Sequence, residues 1–200
     1  MTGLFGWVVQ SGVVQGVIIG ATLAFLTAIL IMNVVIRGLT TEVNGWSVIP
    51  RAGRPGNGFL VRAACAKALP VVNVFEEAAY WKSTKDGAGR RLHGRHDYVL
   101  RFPKGGFPPN DAFWSLTVAD LVGYATRNPV ARSSVNDRSE FVTNPDGSVE
   151  IHLQHTAPSG QEQNWLPVPG RRFTLMLRAY LPAATVLDGT YRVPRIERVR

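Results

Sequence analysis

The sequence predicts a mainly β protein, a jelly-roll or β-sandwich domain preceded by one N-terminal transmembrane helix. No Asp, Glu, Lys, Arg or His precedes Arg37, so the net charge of +8 belongs entirely to the remaining residues. After residue 70, six or more short strand-like runs alternate with turns rich in Gly, Pro and Asn. No long amphipathic helix interrupts them, and such a succession is typical of two packed sheets.

Residues 1–37 are predicted to form the membrane anchor. The run from Val13 to Ile36 is apolar except for a few uncharged polar side chains, and a bilayer core needs about 20 such residues. A cleaved signal peptide would have a basic start and a shorter apolar region, which this chain lacks. The pattern therefore predicts an uncleaved anchor, with Phe5, Trp7 and the region near Trp46 as interfacial aromatics.

Three glycines stand four residues apart inside this anchor. Gly12, Gly16 and Gly20 share roughly one helix face, on which a second backbone can approach closely. Glycine is also common in membrane helices without such a role. We interpret the three in register as a helix-packing face for a partner membrane protein.

Residues 38–70 are predicted to form a linker and a short helix, and residues 71–200 a jelly-roll β domain. The linker is polar and rich in Gly, Pro and Thr, and the helix lies in GFLVRAACAKALP, where Pro70 ends it. The single cysteine, Cys65, lies in this apolar stretch and is interpreted as an inert buried thiol.

The β domain is predicted from a series of strand candidates. In the run FVTNPDGSVEIHLQ, Val149, Ile151 and Leu153 alternate with polar residues, which indicates one buried and one wet face. The other candidates are NVFEEAAYWKS, HDYVLRF, DAFWSLTVAD, RRFTLMLRAYLP and GTYRVPRIERV.

The sequence offers no catalytic, metal or cofactor residues. The pairs His93/His96 and His152/His155 lack the His-x-His spacing that would place two ligands on one strand face. There is no G-x-S-x-G elbow and no phosphate-binding loop. A metal enzyme or hydrolase would require two of the four histidines to converge with a carboxylate.

Five residues together supply large aromatic rings and hydrogen-bonding groups. They are Trp114, Asn164, Trp165, Arg178 and Tyr180. Two interpretations stay open: they brace a corner of the core, or they line a pocket for a flat or glycan-like ligand.

Basic residues are spread along the chain instead of forming one stripe. For a domain held near a bilayer, attraction to anionic lipid head groups explains such a charge better than nucleic-acid binding. We therefore predict no nucleic-acid partner.

Several separated motifs resemble one bacterial family. The motifs are YVLRFPKGGFPPNDAFWSLTVAD, RNPVARSSVNDR, PDGSVEIHLQH, NWLPVPGRRFTLMLRAYLP and DGTYRVPRIERV. In this order they resemble domain of unknown function 1214, most clearly over residues 97–200. The resemblance implies a jelly-roll domain that commonly follows another domain, 1254, in place of which this chain has its anchor. It implies no catalytic residues.

The family's typical motif positions fall on ten residues here. They are Trp114, Ser115, Leu116, Asn164, Trp165, Pro167, Arg178, Tyr180, Asp188 and Gly189. Ala119 departs from the pattern, since the family often has Tyr there. If that Tyr serves a shared ligand, binding by this chain is in doubt.

The side of the membrane depends on two opposed arguments. Arg37, Arg51 and Arg54 follow the anchor, and the positive-inside rule alone would place the domain in the cytoplasm. The resemblance implies export. We expect the bacterial inner membrane, with the domain on the periplasmic side.

Three functions follow as hypotheses. The first is a non-enzymatic accessory subunit whose helix packs in a larger membrane complex. The second is a membrane-tethered module of the cell envelope that binds a lipid or glycan. The third and weakest is an envelope hydrolase or metal enzyme.

Overall fold

The computed structural model describes residues 11–69 and 72–199 and divides the chain into two compact units. The first unit holds Met1–Leu39 and Pro55–Val71, and its described secondary structure is helical. The second unit holds Thr40–Arg54 and Val72–Arg200 and contains the β-strands. Phe5 and Trp7, predicted as interfacial aromatics, lie outside the described residues.

Helix α1 covers Gly12–Leu39 and is long and apolar enough to cross a membrane. Its 28 residues span about 42 Å at 1.5 Å per residue, which exceeds a hydrocarbon core of about 30 Å. None of its residues is buried within the structure. Arg37 lies in the last turn, where a cation stabilises the helix terminus. A signal sequence near an N-terminus can meet the same criteria of length and hydropathy, so the uncleaved anchor stays a prediction.

Helix α2 covers Phe59–Ala68, inside the run in which the sequence predicts a short helix. The backbone N–H of Leu69 donates to the carbonyl of Cys65 and closes its last turn. Ala64 and Cys65 are buried. Within this unit, Lys67 Nζ donates a hydrogen bond to Asn33 Oδ1 of α1.

The strands of the second unit, among the described residues, form two sheets, and the core lies between them. One sheet has six strands in the order β1-β2-β3-β9-β5-β6, with the bounds Thr41–Val43 (β1), Trp46–Val48 (β2), Ala78–Ser83 (β3), Thr174–Pro182 (β9), Asn110–Ala119 (β5) and Ser134–Asn136 (β6). The other has four strands in the order β10-β4-β7-β8, with the bounds Ile196–Arg198 (β10), Tyr98–Phe102 (β4), Val149–Gln154 (β7) and Trp165–Pro167 (β8). A 3-10 turn covers Glu162–Asn164 and a single helical turn, α3, covers Ala184–Leu187.

All strand pairs are antiparallel among the described residues except β7–β8, which is parallel. The predicted buried face holds in β7, where Val149, Ile151 and Leu153 are all in the core. The predicted wet face holds only in part, because His152 is also buried. The fold class is confirmed: the chain is mainly β with two sheets, and one long apolar helix precedes them. The jelly-roll connectivity stays a prediction.

A hairpin occupies part of the region predicted to be a linker. Strands β1 and β2 pair across Asn44–Gly45, and β2 then adds to β3 at the edge of the six-stranded sheet. Asn44 and Gly45 have φ values of 56° and 84°, as the two central residues of a tight hairpin turn require. Trp46 is fully buried in the core, so this hairpin contributes to the core and Trp46 is not an interfacial aromatic.

Candidate functional site

The five ring-bearing and hydrogen-bonding residues singled out in the sequence do not meet in one pocket. The register places Trp114 opposite Ala179, on the face of the six-stranded sheet that forms the core. Arg178 and Tyr180 precede and follow Ala179 and therefore lie on the other face of that sheet. Trp165 and Asn164 belong to the four-stranded sheet and the turn before it.

Trp114 lies in a stacked aromatic cluster at the core. Its ring stacks on Phe107 with centroids 4.5 Å apart and lies 6.1 Å from Phe141 and 6.2 Å from Phe102. Because only 4% of Trp114 is exposed, the ring is enclosed by these neighbours. This environment agrees with the bracing interpretation of Trp114.

The side chain of Asn164 forms two hydrogen bonds to a loop beside that aromatic cluster. Its Oδ1 accepts from the backbone N–H of Val142 at 2.8 Å, and its Nδ2 donates to the Val142 carbonyl at 2.7 Å. The side-chain amide of Asn164 thus bonds both backbone groups of Val142, as a neighbouring strand would, although Val142 lies outside any strand. Because Phe141 precedes Val142, this clamp holds Phe141 near Trp114.

Trp165 lies on the face of the four-stranded sheet that points away from the core. It is paired with His152, whereas the next residue, Leu166, is paired with the buried Leu153. The indole Nε1 of Trp165 donates to the carbonyl of Gln154 at 2.8 Å. Trp165 is therefore separated from Trp114 by the inner layer of its own sheet.

Arg178 and Tyr180 contribute to what we call the outer face, the side of the six-stranded sheet away from the core. Tyr180 stacks on Phe113 with ring centroids 4.3 Å apart. Arg178 is half-buried between Tyr80 and Ser115 on the neighbouring strands, and its Nη1 donates to Thr117 Oγ1 at 3.0 Å. Aromatic rings beside a guanidinium are the groups that bind flat or glycan-like ligands.

Sequence reasoning did not single out Tyr80 and Phe113 for this face. Burial raises the pKa of the Tyr80 hydroxyl, which donates to Asn73 Oδ1 at 3.4 Å. The sequence could have identified Tyr80 from the two-residue alternation of a strand, because AAYWKS alternates buried and half-buried positions around Tyr80. The same alternation places Phe113 on this face, because Trp114, Leu116 and Val118 are the buried positions that follow it in β5.

His93 and His96 lie close together, since the backbone N–H of His96 donates to the His93 carbonyl at 3.1 Å. His93 Nδ1 accepts from the backbone N–H of Arg95, and His155 Nδ1 bonds the Val168 carbonyl at 2.9 Å. His152 is buried, and this burial lowers its pKa. No group of three or more His, Cys, Asp and Glu that could hold a metal ion occurs among residues 11–69 and 72–199.

The glycine face of α1 is open. A Cβ built on Gly12, Gly16 or Gly20 would meet no described heavy atom within 4 Å beyond the neighbouring helix backbone. Side chains at these positions would therefore fit the isolated chain.

Comparison with known proteins finds a related family and similar solved structures, among them the following two. The model of the family described as Protein of unknown function (DUF1214) matches residues 77–184. The VPA0106 protein from Vibrio parahaemolyticus is 29% identical with a TM-score of 0.60, over 72% of this chain and 36% of its own. An uncharacterised protein from Burkholderia cenocepacia is 22% identical with a TM-score of 0.38, over 62% of this chain and 29% of its own.

The chain thus spans about a third of the length of the solved structures it matches. No curated protein matches it. The family model extends from the end of the turn before β3 to the first residue of α3, and so includes the core tryptophan, the Asn164 clamp and the outer face. On this match, the chain belongs to the family of proteins of unknown function DUF1214.

Proposed function

We propose that this chain is a non-enzymatic, single-pass membrane accessory subunit. Helix α1 packs in a larger membrane complex and displays the β domain beside it. The observation that supports the proposal is the glycine face: three glycines in register, on a helix without buried residues, with open space around each. In lipid, close backbone packing on small residues drives helix association.

The proposal includes a location. The anchor lies in the bacterial inner membrane and the β domain on its periplasmic side, as the relation to exported family members suggests.

The non-enzymatic part of the proposal comes from the sequence. It contains no nucleophile elbow, phosphate-binding loop or His-x-His pair. His93, His96 and His155 bond backbone groups or neighbouring side chains, which is typical of structural histidines.

The test compares two substitutions of similar bulk on opposite sides of α1. Gly16→Leu adds a side chain at the centre of the glycine face, whereas Ala21→Leu lies roughly 140° around the helix. Both positions are solvent-exposed in the structure, so neither variant perturbs the fold of the chain itself. Each full-length variant is purified from membranes in a mild detergent after cross-linking.

We expect the wild type and Ala21→Leu to migrate with a partner and Gly16→Leu to migrate alone. Gly16→Ala should keep the partner, since a small residue preserves close approach. A wild-type chain that elutes as a free monomer would defeat the proposal, as would retention of the partner by Gly16→Leu.

A second candidate function is a membrane-tethered module that binds an envelope lipid head group or glycan on the outer face. The stacked Phe113–Tyr180 pair and the half-buried Arg178 favour it. Its test holds the full-length chain in phosphatidylcholine nanodiscs and measures the binding of short-chain, water-soluble phosphatidylglycerol and of soluble N-acetylglucosamine oligomers. Arg178→Ala should reduce one of them at least tenfold, and Arg101→Ala, on the other sheet, should leave it unchanged.

A further inference from the structure

A pocket of about 370 Å³ opens within the β unit. Its walls come from the edge hairpin β1–β2, from β3, from Phe75 and from residues 186–193, which follow β9. Most of it lies outside the segment that matches the family model, which ends at residue 184. Its volume is at the lower end of the range of roughly 300–1,000 Å³ that small-molecule sites occupy.

The walls of the pocket are aromatic and aliphatic. Trp46, Phe75, Trp81 and Val186 are all buried, and the ring of Tyr191 meets that of Trp81 edge-on at 5.8 Å. These residues bring hydrocarbon from three different segments of the chain to one cavity. Such a lining favours an apolar ligand body.

The polar atoms of two residues in the pocket wall already form hydrogen bonds within the protein. Trp46 Nε1 donates to the Pro194 carbonyl at 2.8 Å, and the Tyr191 hydroxyl donates to the Gly106 carbonyl at 3.0 Å. Burial raises the pKa of Tyr191, so this hydroxyl stays neutral. The two side chains therefore present ring carbon to the pocket, and a polar ligand body would lose its water without gaining these donors.

The mouth of the pocket carries one available cation. Asp188 and Arg192 line it, and both are exposed. Asp188 Oδ1 accepts from the backbone N–H of Thr190 at 2.8 Å and from its hydroxyl at 2.7 Å. These bonds, and then the charge of Arg192, lower the pKa of Asp188, so its carboxylate is ionised and occupied by its own loop.

Arg192 keeps most of its hydrogen-bonding capacity. Its Nη1 donates to the Tyr191 carbonyl at 3.2 Å, and no ion pair within 4 Å joins it to a carboxylate among residues 11–69 and 72–199. A guanidinium has five N–H donors and pairs with carboxylates in a bidentate manner. An apolar cavity with such a cation at its entrance fits an amphipathic anion.

We propose that this pocket binds a medium-chain carboxylate, with its acyl chain among Trp46, Phe75 and Trp81 and its head group at Arg192. The site needs neither the partner helix of α1 nor the outer face. A volume of about 370 Å³ suits a ligand of medium chain length.

The experiment uses tryptophan quenching in the full-length chain, held in phosphatidylcholine nanodiscs. The probe is 11-bromoundecanoate, whose bromine quenches indole fluorescence on contact. We expect saturable quenching that decanoate reverses, with octanoate and hexanoate progressively weaker. Each methylene removed should weaken competition about fourfold, the equilibrium factor of about 0.8 kcal/mol per CH₂.

Two matched variants separate pocket binding from partitioning into the nanodisc. Val43→Phe narrows the pocket from edge strand β1 without adding an indole, whereas Glu42→Phe adds the same ring on the opposite face of that strand. Saturable quenching should be strongly reduced in Val43→Phe and kept in Glu42→Phe. Equal, non-saturating quenching in both would overturn the proposal, because it would report dissolution of the probe in lipid.

The head group is tested at Arg192. Arg192→Gln should weaken decanoate at least tenfold and leave the competition by 1-decanol unchanged. If 1-decanol competes as well as decanoate in the wild type, or if Arg192→Gln binds decanoate normally, the ligand is not a carboxylate held at this mouth.

Discussion

Phe113 and Tyr180 stack across the β5–β9 strand pair, with ring centroids 4.3 Å apart, on the outer face of the six-stranded sheet. The same pairing sends Trp114, the next residue, into the core. Two neighbouring aromatic residues of one motif therefore have different surroundings. They are expected to respond differently to truncation.

Trp114→Ala should destabilise the β domain far more than Tyr180→Ala. Removing an enclosed aromatic side chain leaves a cavity and costs about 3–5 kcal/mol. Tyr180→Ala loses one cross-strand aromatic pair, worth about 0.5–1.5 kcal/mol. Urea unfolding of the full-length chain in detergent, followed by near-UV circular dichroism, measures both; similar losses would contradict the assignment of the two rings to opposite faces.

Asn164→Asp should destabilise the chain at neutral pH and recover on acidification. The replacement carboxylate would set a charged oxygen against the Val142 carbonyl, which now accepts from Nδ2, at a cost of about 2–3 kcal/mol. Only the neutral acid can donate there, so folding raises the pKa of the introduced group. The folded state then gains stability as pH falls below that raised pKa. Free energies of unfolding at pH 7 and pH 4.5 check this, and a deficit independent of pH would contradict it.

Asp86 should contribute to stability only above acidic pH. It is 1% exposed and accepts from the backbone N–H groups of Ala88 and Arg90 and from Arg90 Nε at 2.8–3.0 Å. Burial alone would raise its pKa, but these hydrogen bonds outweigh burial and lower it. A lowered pKa in the folded state stabilises the fold above the unfolded-state pKa of about 3.9, and this contribution is lost as pH falls through the folded value.

Asp86→Asn should therefore be less stable than the wild type by about 1.5–3 kcal/mol at pH 7 and approach it below pH of about 3. Asp120, Asp146 and Asp188 also have lowered pKa values but are present in both proteins, so the difference isolates Asp86. Unfolding curves at pH 7, 5 and 3 provide the measurement. Parallel pH profiles for the two proteins would show that Asp86 does not titrate in this range.

An introduced cysteine tests the proposed periplasmic location. Cys65 is buried and would react slowly, so it is replaced by Ser and the exposed Asp137 by Cys. An impermeant maleimide added to intact cells with a permeabilised outer membrane should label this variant. Labelling only after lysis of the inner membrane would place the domain in the cytoplasm.

The mass of the mature chain decides whether α1 is retained. An uncleaved anchor predicts a membrane-extracted protein with the full sequence mass, near 21.9 kDa. The chain should also stay with the membrane at alkaline pH. A species shortened by the length of α1 in the soluble fraction would identify that helix as a cleaved signal sequence.

Local composition was sufficient to predict much of the architecture. The charge-free run before Arg37 predicts α1, and Pro70 correctly bounds the short helix α2. The hairpin β1–β2 was missed because its strands are only three residues long, although Asn44–Gly45 is a strong hairpin signal. In NVFEEAAYWKS, a turn at Phe75–Glu77 delays the strand to Ala78, a boundary set by pairing with β9.

The sequence by itself determined the apolar helix, the two-sheet class and the family, because these depend on composition and on patterns within short segments. Only the tertiary structure decided which face each aromatic ring occupies. Between Asn110 and Phe113, β5 holds one residue more than its partner β9. This bulge reverses which sheet face the earlier residues of β5 occupy. Because one residue of register moves every side chain to the opposite face, long-range pairing places Trp114 in the core and Tyr180 outside it.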